Sequence, residues 1–83
     1  MKIRDLLKTD GVYTTTIKLV YEGGVIEHKG QAVVLNGIGY PFGKHTTITA
    51  KTMQRVPSCF PFSTEHELDV EVLEYTRTPL PTE

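Results

Sequence analysis

The sequence predicts an α+β, mostly β, fold. We expect a short N-terminal helix packed on an antiparallel sheet of three to five strands, or on a small, partly open barrel. Three observations predict it: a helical apolar stripe near the N-terminus, a long β-branched segment after it, and a Gly-Gly pair suited to a hairpin turn. The 83 residues are 39% hydrophobic and 23% charged, which is typical of one small globular domain.

The first element is a helix of about two turns. Ile3, Leu6 and Leu7 have the i, i+3, i+4 spacing of an apolar helical stripe. Gly11 follows and is suited to closing a helix. So short a helix is marginal by itself, and we expect it to pack on the sheet.

A β-hairpin follows. Residues 12–22 are rich in β-branched and aromatic residues, and Gly23-Gly24 is a two-residue turn signal. Pairing across that turn places Tyr21 opposite Ile26 and separates an apolar face from a polar one, as expected for a sheet with one buried face. The predicted apolar face contains Tyr13, Ile17, Leu19, Tyr21, Ile26, Ala32 and Val34.

This register has one unfavourable pair, because it places Lys18 directly opposite Lys29. Glycine within a strand often marks a bulge. We therefore expect a bulge at Gly30 that shifts the pairing by one residue.

The remaining segments are assigned in order. Residues 36–45, NGIGYPFGKH, are interpreted as the connection to a third strand over 45–52. Residues 64–75 alternate acidic and apolar side chains, which favours an edge strand, although Thr64 and Glu67 have the spacing of a helix capping box. We expect the domain to span residues 1–76, with residues 77–83 as a mobile tail.

Charge is unevenly distributed along the chain. Residues 1–55 carry eight cations against four acids, a net +4, and residues 56–83 carry one cation against six acids, a net −5. Such asymmetry indicates either two faces with different partners or an edge strand with solubilising acids.

Residues 36–45 resemble a phosphate-binding loop only superficially. That motif needs four residues between its first glycine and its Gly-Lys pair, whereas Gly39 and Gly43 are separated by three. Pro41 lacks the N–H that a phosphate cradle would use, and His45 stands where Ser or Thr would bind magnesium. These departures exclude the nucleotide-loop interpretation.

The same stretch is a candidate for binding single-stranded nucleic acid by stacking, because aromatic side chains alternate there with cations. The alternative is that the two rings cap the core. The candidate residues are Tyr40, Phe42, Lys44, His45, Lys51 and Arg55.

Two surfaces are candidates for binding a protein. The first is VPSCFPF, residues 56–62, whose apolar side chains are either interface anchors or part of the core. The second is the acidic strand. The candidate residues are Val56, Phe60, Phe62, Glu67, Asp69 and Glu71.

Catalytic and metal sites are weakly indicated. The three histidines, His28, His45 and His66, lack ligand spacing, and we expect no metal or cofactor. Cys59 lies in an apolar setting where a thiol acts as a small hydrophobe. An enzyme that uses Cys59 and a histidine is the third-ranked hypothesis.

We therefore expect a non-enzymatic module that binds a macromolecule. A protein-binding inhibitor or adaptor, of the kind that phages or other mobile elements carry, is favoured over a nucleic-acid-binding module because the net charge is −1. A single cysteine, no signal peptide and no membrane-length apolar run predict a cytoplasmic protein that does not bind a membrane. A homodimer is a further possibility for so short a chain.

Overall fold

A computed structural model describes residues 1–81 and contains one antiparallel sheet. The strands are β1 (Gly11–Tyr21), β2 (Gly24–Leu35), β3 (Ile38–Phe42) and β4 (Glu71–Thr78). They lie in the order β3-β2-β1-β4, so the sheet has two edges and is not closed into a barrel. The predicted α+β, mostly β, fold with a short N-terminal helix is confirmed.

The helices are each a single turn, so the N-terminal helix is shorter than the two turns predicted, and Gly11 begins β1 instead of closing that helix. The helices are α1 (Ile3–Leu6), α2 (Ala50–Met53) and α3 (Glu65–Leu68), with a 3-10 turn at Val56–Ser58. Helices this short are not stable in isolation, so packing on the sheet holds them.

The β1–β2 hairpin has a different register from the predicted one. Its turn is Glu22-Gly23, with Tyr21 opposite Gly24, and Lys18 faces Glu27 instead of Lys29. The predicted register was wrong by two residues. A shift of two leaves every side chain on its predicted face, so the alternation pattern could not reveal the error, whereas the charge pairing did.

The predicted bulge at Gly30 is also wrong, because β1 and β2 pair continuously from Gly11 to Tyr21. An irregularity occurs instead between β1 and β4, where the register shifts at Thr16/Ile17. Leu73 is the additional residue on the β4 side of that shift.

Residues 36–45 are not a loop that leads to a strand over 45–52, because half of them, Ile38–Phe42, form β3. Asn36 and Gly37 make the turn with positive φ angles of 54° and 79°. The Asp10 carboxylate accepts hydrogen bonds from the Asn36 N–H at 3.1 Å and the Gly37 N–H at 3.5 Å. Asn-Gly is a strong hairpin signal, and the sequence interpretation missed it.

The predicted strand over 45–52 is wrong. The Thr49 side chain accepts a hydrogen bond from the Thr52 N–H and begins α2 at Ala50. This local capping competes with the β-branched composition of the segment and prevails.

Residues 64–75, for which the sequence indicated either a helix or an edge strand, contain both. Thr64 and Glu67 form the capping box of α3, and a strand begins at Glu71. That strand, β4, is an edge strand as predicted.

The domain boundary extends past the predicted one. Arg77 and Thr78, assigned to the tail, belong to β4, and the Arg77 Nε–H donates to the Asp10 carbonyl at 2.8 Å. Leu80 packs against buried residues of the core. Positions 82 and 83 of the predicted mobile tail lie outside the described residues.

Hydrophobic clusters cover both faces of one end of the sheet. Face A, the face that carries Tyr13, packs against α1 and the loop at Phe62; its buried cluster is Ile3, Leu6, Tyr13, Ala32, Val34 and Val72. Face B, the opposite face, packs against the 3-10 turn and α2; its buried cluster is Val12, Val33, Tyr40 and Val56. Only one buried face was expected, so the second cluster corrects that prediction.

Candidate functional site

The positive N-terminal half and the negative C-terminal half of the chain neutralise each other where α1 meets α3. Arg4 Nη2 lies 2.7 Å from Glu65 Oε2 and also bonds Asp69 Oδ1, while Lys2 Nζ lies 3.7 Å from Asp69. The hydrogen bond to Glu65 raises the pKa of Arg4, with Asp69 adding to the effect. The charge asymmetry of the sequence therefore does not produce two oppositely charged faces here.

The other two acids of the predicted acidic surface, Glu67 and Glu71, also have partners within the chain. Glu67 accepts a hydrogen bond from the Thr64 hydroxyl at 2.9 Å, which lowers its pKa. Glu71 Oε2 lies 3.8 Å from Lys18 Nζ. Because Glu67 is in a helix and Glu71 in a strand, with Asp69 between them, the three acids do not form the single strand face that was predicted.

The VPSCFPF segment divides between core and surface. Val56 is fully buried, which removes it as an interface anchor. Phe62 packs on the face A cluster, and its N–H donates to the Gly39 carbonyl at 2.8 Å. Phe60 is 91% exposed and is the one ring of this segment that is free to contact a partner.

The predicted nucleic-acid stacking site is not assembled. Tyr40 is buried in the face B cluster, and Phe42 packs partly buried against the same cluster. The cations are exposed, but the rings are not presented among them. The exposed cationic candidates are Lys44, His45, Lys51 and Arg55.

Cys59 is half-buried beside the face B cluster. Its thiol donates to the Arg55 carbonyl at a sulfur–oxygen distance of 3.5 Å. Within residues 1–81, no group of three or more His, Cys, Asp or Glu side chains is arranged to hold a metal ion. No helix in that range is long and apolar enough to cross a membrane.

The distal end of the hairpin carries a cluster of exposed apolar side chains. We call residues 19–26 the hairpin arm. β4 pairs with β1 only as far as Lys18, and β3 pairs with β2 only as far as Gln31, so neither neighbour flanks the arm. Its large apolar side chains include Val20 (75% exposed), Tyr21 (54%), Val25 (56%) and Ile26 (46%).

Beside the arm, β2 has an unpaired backbone edge over residues 24–30, because β3 ends opposite Gln31. Leu35 and Ile38 flank the two-residue turn, so they form a hydrogen-bonded pair. Alternation along β2 then directs the N–H and C=O groups of Lys29 and Glu27 toward this edge. We call residues 24–30 the free edge of β2.

Two depressions adjoin the free edge, one on each face of the sheet. On face A an apolar cavity of about 170 Å³ extends under α1. It is lined by Ile3, Leu6, Thr15, Ile17, His28, Gly30, Gln31, Ala32, Pro41, Phe42 and Phe62. The sequence contained no direct signal for it, because its walls come from five separate segments.

The second depression is a groove of about 390 Å³ formed by the free edge and the loop after β3; its lining residues are Glu27, His28, Lys29, Gly43 and Lys44. Glu27 stands opposite Lys18 in the β1–β2 register. Among residues 1–81, no carboxylate lies within 4 Å of the ammonium groups of Lys29 or Lys44. The groove therefore has an excess of positive charge.

A broader hollow of about 580 Å³ lies between β1 and β4, lined by polar residues such as Thr14, Thr16 and Glu74 together with Lys29. The free edge, the cavity and the groove form the candidate site, because they share His28 and adjoin the exposed arm.

Comparison of this chain with models of protein families, with curated proteins and with solved structures finds no match in any of the three.

Proposed function

We propose that this protein is a non-enzymatic protein-binding module, an inhibitor or adaptor, which engages its partner through the hairpin arm and the free edge of β2. The observation that carries the proposal is the exposure of the arm. Val20 and Val25 are more than half exposed on one of its faces, while Tyr21 and Ile26 are about half exposed on the other.

Exposed apolar side chains clustered in this way are typical of protein interaction sites, whereas apolar residues scattered singly over a surface need no explanation. Cross-strand neighbours are in contact distance on each face, since Val20 is opposite Val25 and Leu19 is opposite Ile26. The arm thus presents paired apolar side chains to a partner.

An unpaired strand edge supports the same function. Main-chain N–H and C=O groups at an edge can accept a further strand, which is a common mode of peptide recognition. Natural proteins limit indiscriminate edge pairing with charged side chains, and Glu27 and Lys29 are so placed on β2. Such an edge favours a selected partner over general aggregation.

A protein partner is preferred to a nucleic acid because Tyr40 is buried and Phe42 partly buried, so the two rings are not presented for stacking beside the exposed cations, and because Arg4, outside that set, is already paired. Tyr40 is 7% exposed, and Arg4 bonds two carboxylates. Stacking of bases on aromatic rings supplies much of the affinity for single strands.

The experiment is affinity purification from a lysate of the native cell, using the protein with a photo-crosslinking amino acid at Val25. The same crosslinker at Phe60, the other strongly exposed apolar position, tests the alternative surface. We expect a protein adduct from position 25 that survives nuclease treatment.

The matched variant is Val20→Lys combined with Val25→Glu, which changes only exposed side chains and places opposite charges across the strand pair. We expect it to fold as the wild type does and to bind the captured partner at least about tenfold more weakly. Unchanged binding by this variant, or an adduct from position 60 only, would contradict the proposed use of the arm. Loss of the adduct on nuclease treatment would indicate a nucleic acid instead.

A further inference from the structure

We propose that the partner contributes an extended segment of alternating acidic and apolar residues, which adds as a strand to the free edge of β2 and inserts one apolar side chain into the face A cavity. This inference rests on the proposed protein-binding function and specifies the chemistry of the partner. It follows from the apolar cavity on face A and the cationic groove on face B, which both adjoin residues 24–30.

The edge determines that the segment is extended. Residues 24–30 of β2 are hydrogen-bonded to β1 on one side, and within residues 1–81 no strand pairs with them on the other. A strand added there continues the line of β3 past Phe42, with its main chain bonded to Glu27 and Lys29. Successive side chains of that strand point alternately to face A and to face B.

On face A, the added strand meets the apolar cavity beside Gly30. Glycine contributes no side chain there, and a Cβ built at this position would meet nothing closer than the Phe42 carbonyl oxygen at 3.6 Å. The volume of about 170 Å³ is similar to that of an engineered apolar cavity of about 150 Å³ that admits benzene. A side chain of leucine or phenylalanine size therefore suits it.

On face B, the same strand meets the cationic groove. Lys29 and Lys44 line it, and within residues 1–81 neither ammonium group has a carboxylate within 4 Å. Carboxylates of a partner would complement these charges. Because faces alternate along a strand, an apolar residue on face A and an acid on face B give an acidic–apolar alternation in the partner sequence.

The test uses a short acetylated, fluorescently labelled peptide that alternates glutamate with phenylalanine, and the same peptide with alanine at the apolar positions. Binding to the whole chain is measured by fluorescence anisotropy. We expect the alanine peptide to bind at least about tenfold more weakly, because it leaves the cavity empty.

Substitutions at Gly30 test the role of the cavity in binding without disrupting the fold. Leucine at position 30 projects onto face A and fills the cavity, whereas alanine leaves most of it open. We expect Gly30→Leu to lose binding of the phenylalanine peptide by at least about tenfold, and Gly30→Ala, which takes up less of the cavity, to lose much less. Thr76→Leu, at an exposed position of β4 on the opposite edge of the sheet, is the matched control and should bind as the wild type does. The space around Gly30 and its position in a strand lead us to expect both Gly30 variants to fold.

A charge exchange tests the groove independently. The double variant Lys29→Glu with Lys44→Glu should reject the glutamate peptide and bind a peptide that alternates lysine with phenylalanine. The lysine peptide should not bind the wild type. This gain of binding cannot result from loss of structure.

Equal binding by Gly30→Leu and the wild type, or no response to the charge exchange, overturns the inference. Single-stranded DNA that displaces the peptide from the wild type and still binds Gly30→Leu also overturns the inference. So does a dimer of this chain at the free edge that the peptide does not displace. If the crosslinker at Val25 still captures a protein in those cases, the proposed function stands and only the partner chemistry is wrong. If neither peptide nor protein binds, both fail.

Discussion

The two halves of the β1–β2 hairpin differ in how far their side chains are buried. At its base, β1 and β2 are covered on both faces, and Val33 is 0% and Val34 1% exposed. In the arm, most side chains of the same strands are exposed, and Val20 is 75% and Val25 56% exposed. Side chains of the same type are therefore core at one end and surface at the other.

The difference arises from the lengths of the neighbouring segments. β1 and β2 have 11 and 12 residues, whereas β3 has 5 and β4 has 8. Residues 43–70 return across the base to form α2, the 3-10 turn and α3. A long hairpin with short neighbours leaves its distal end uncovered, and that end is where we propose binding.

The largest expected effect is the difference between Val33→Asp, at the base, and Val25→Asp, in the arm, which are on the same face of β2. Val33→Asp buries a carboxylate without a partner and should reduce the free energy of unfolding by roughly 3–5 kcal/mol, enough to unfold much of so small a domain. Val25→Asp, in the arm, should change it by less than about 0.5 kcal/mol. Urea unfolding followed by circular dichroism measures both, and substantial destabilisation by Val25→Asp would show that the arm is packed.

A second pair of substitutions compares Gly39, in β3 at the base, with Gly30, in β2 near the boundary with the arm. A Cβ at Gly39 would lie 2.7 Å from Leu7 Cδ2 and 3.0 Å from Phe62 Cδ2, so Gly39→Val should cost about 1–3 kcal/mol. Gly30→Val has open space on face A and should leave the melting temperature unchanged or raise it, since valine suits a strand better than glycine. Thermal unfolding monitored by circular dichroism compares the two; equal destabilisation would contradict the open cavity.

A smaller effect is expected at the cap of α3, one of the elements that cover the base. Thr64→Ala removes the acceptor of the Glu67 N–H and should cost about 1 kcal/mol. Ser63→Ala, next to it and also exposed, is the control and should stay within about 0.5 kcal/mol. Equal effects in urea unfolding would mean that the cap contributes nothing specific.

The smallest expected effect is a dependence of stability on pH. Hydrogen bonds from the Lys2 N–H and from Thr64 lower the pKa of Asp5 and of Glu67 from ordinary values of 3.8 and 4.5. A carboxyl whose pKa is lower in the folded state stabilises it above the unfolded pKa and loses that contribution as pH falls through the folded pKa. Stability from these groups should therefore be constant above about pH 5 and decline below about pH 4.5.

Glu67→Gln tests this source of the pH dependence, because it removes one of the two carboxyl groups whose pKa is lowered. Its midpoint of urea unfolding should fall less steeply between pH 5 and pH 3 than that of the wild type. An unchanged slope would show that Glu67 does not contribute to the acid sensitivity. Hydrogen exchange of α3 amides over the same range would locate the effect.

Part of the fold and little of the candidate site were predictable from local pattern. The stripe of Ile3, Leu6 and Leu7 located α1, and the spacing of Thr64 and Glu67 indicated the cap of α3. β3 was also predictable, because Asn36-Gly37 is a hairpin dipeptide that was interpreted as part of a loop. The free edge, the cavity and the groove depend on where β3 ends in space, and no local pattern encodes that.

The sequence by itself determined which side chains of the hairpin share a face, where the hairpin forms and where α1 and α3 begin, because backbone alternation and capping act between residues close in the chain. Only the tertiary structure decided the hairpin register, the burial of Tyr40 and Val56, and the exposure of the arm. Those depend on which distant segments pack against each face. Packing is a property of the folded chain as a whole, and it made one valine-rich hairpin into core at its base and into a candidate binding surface at its tip.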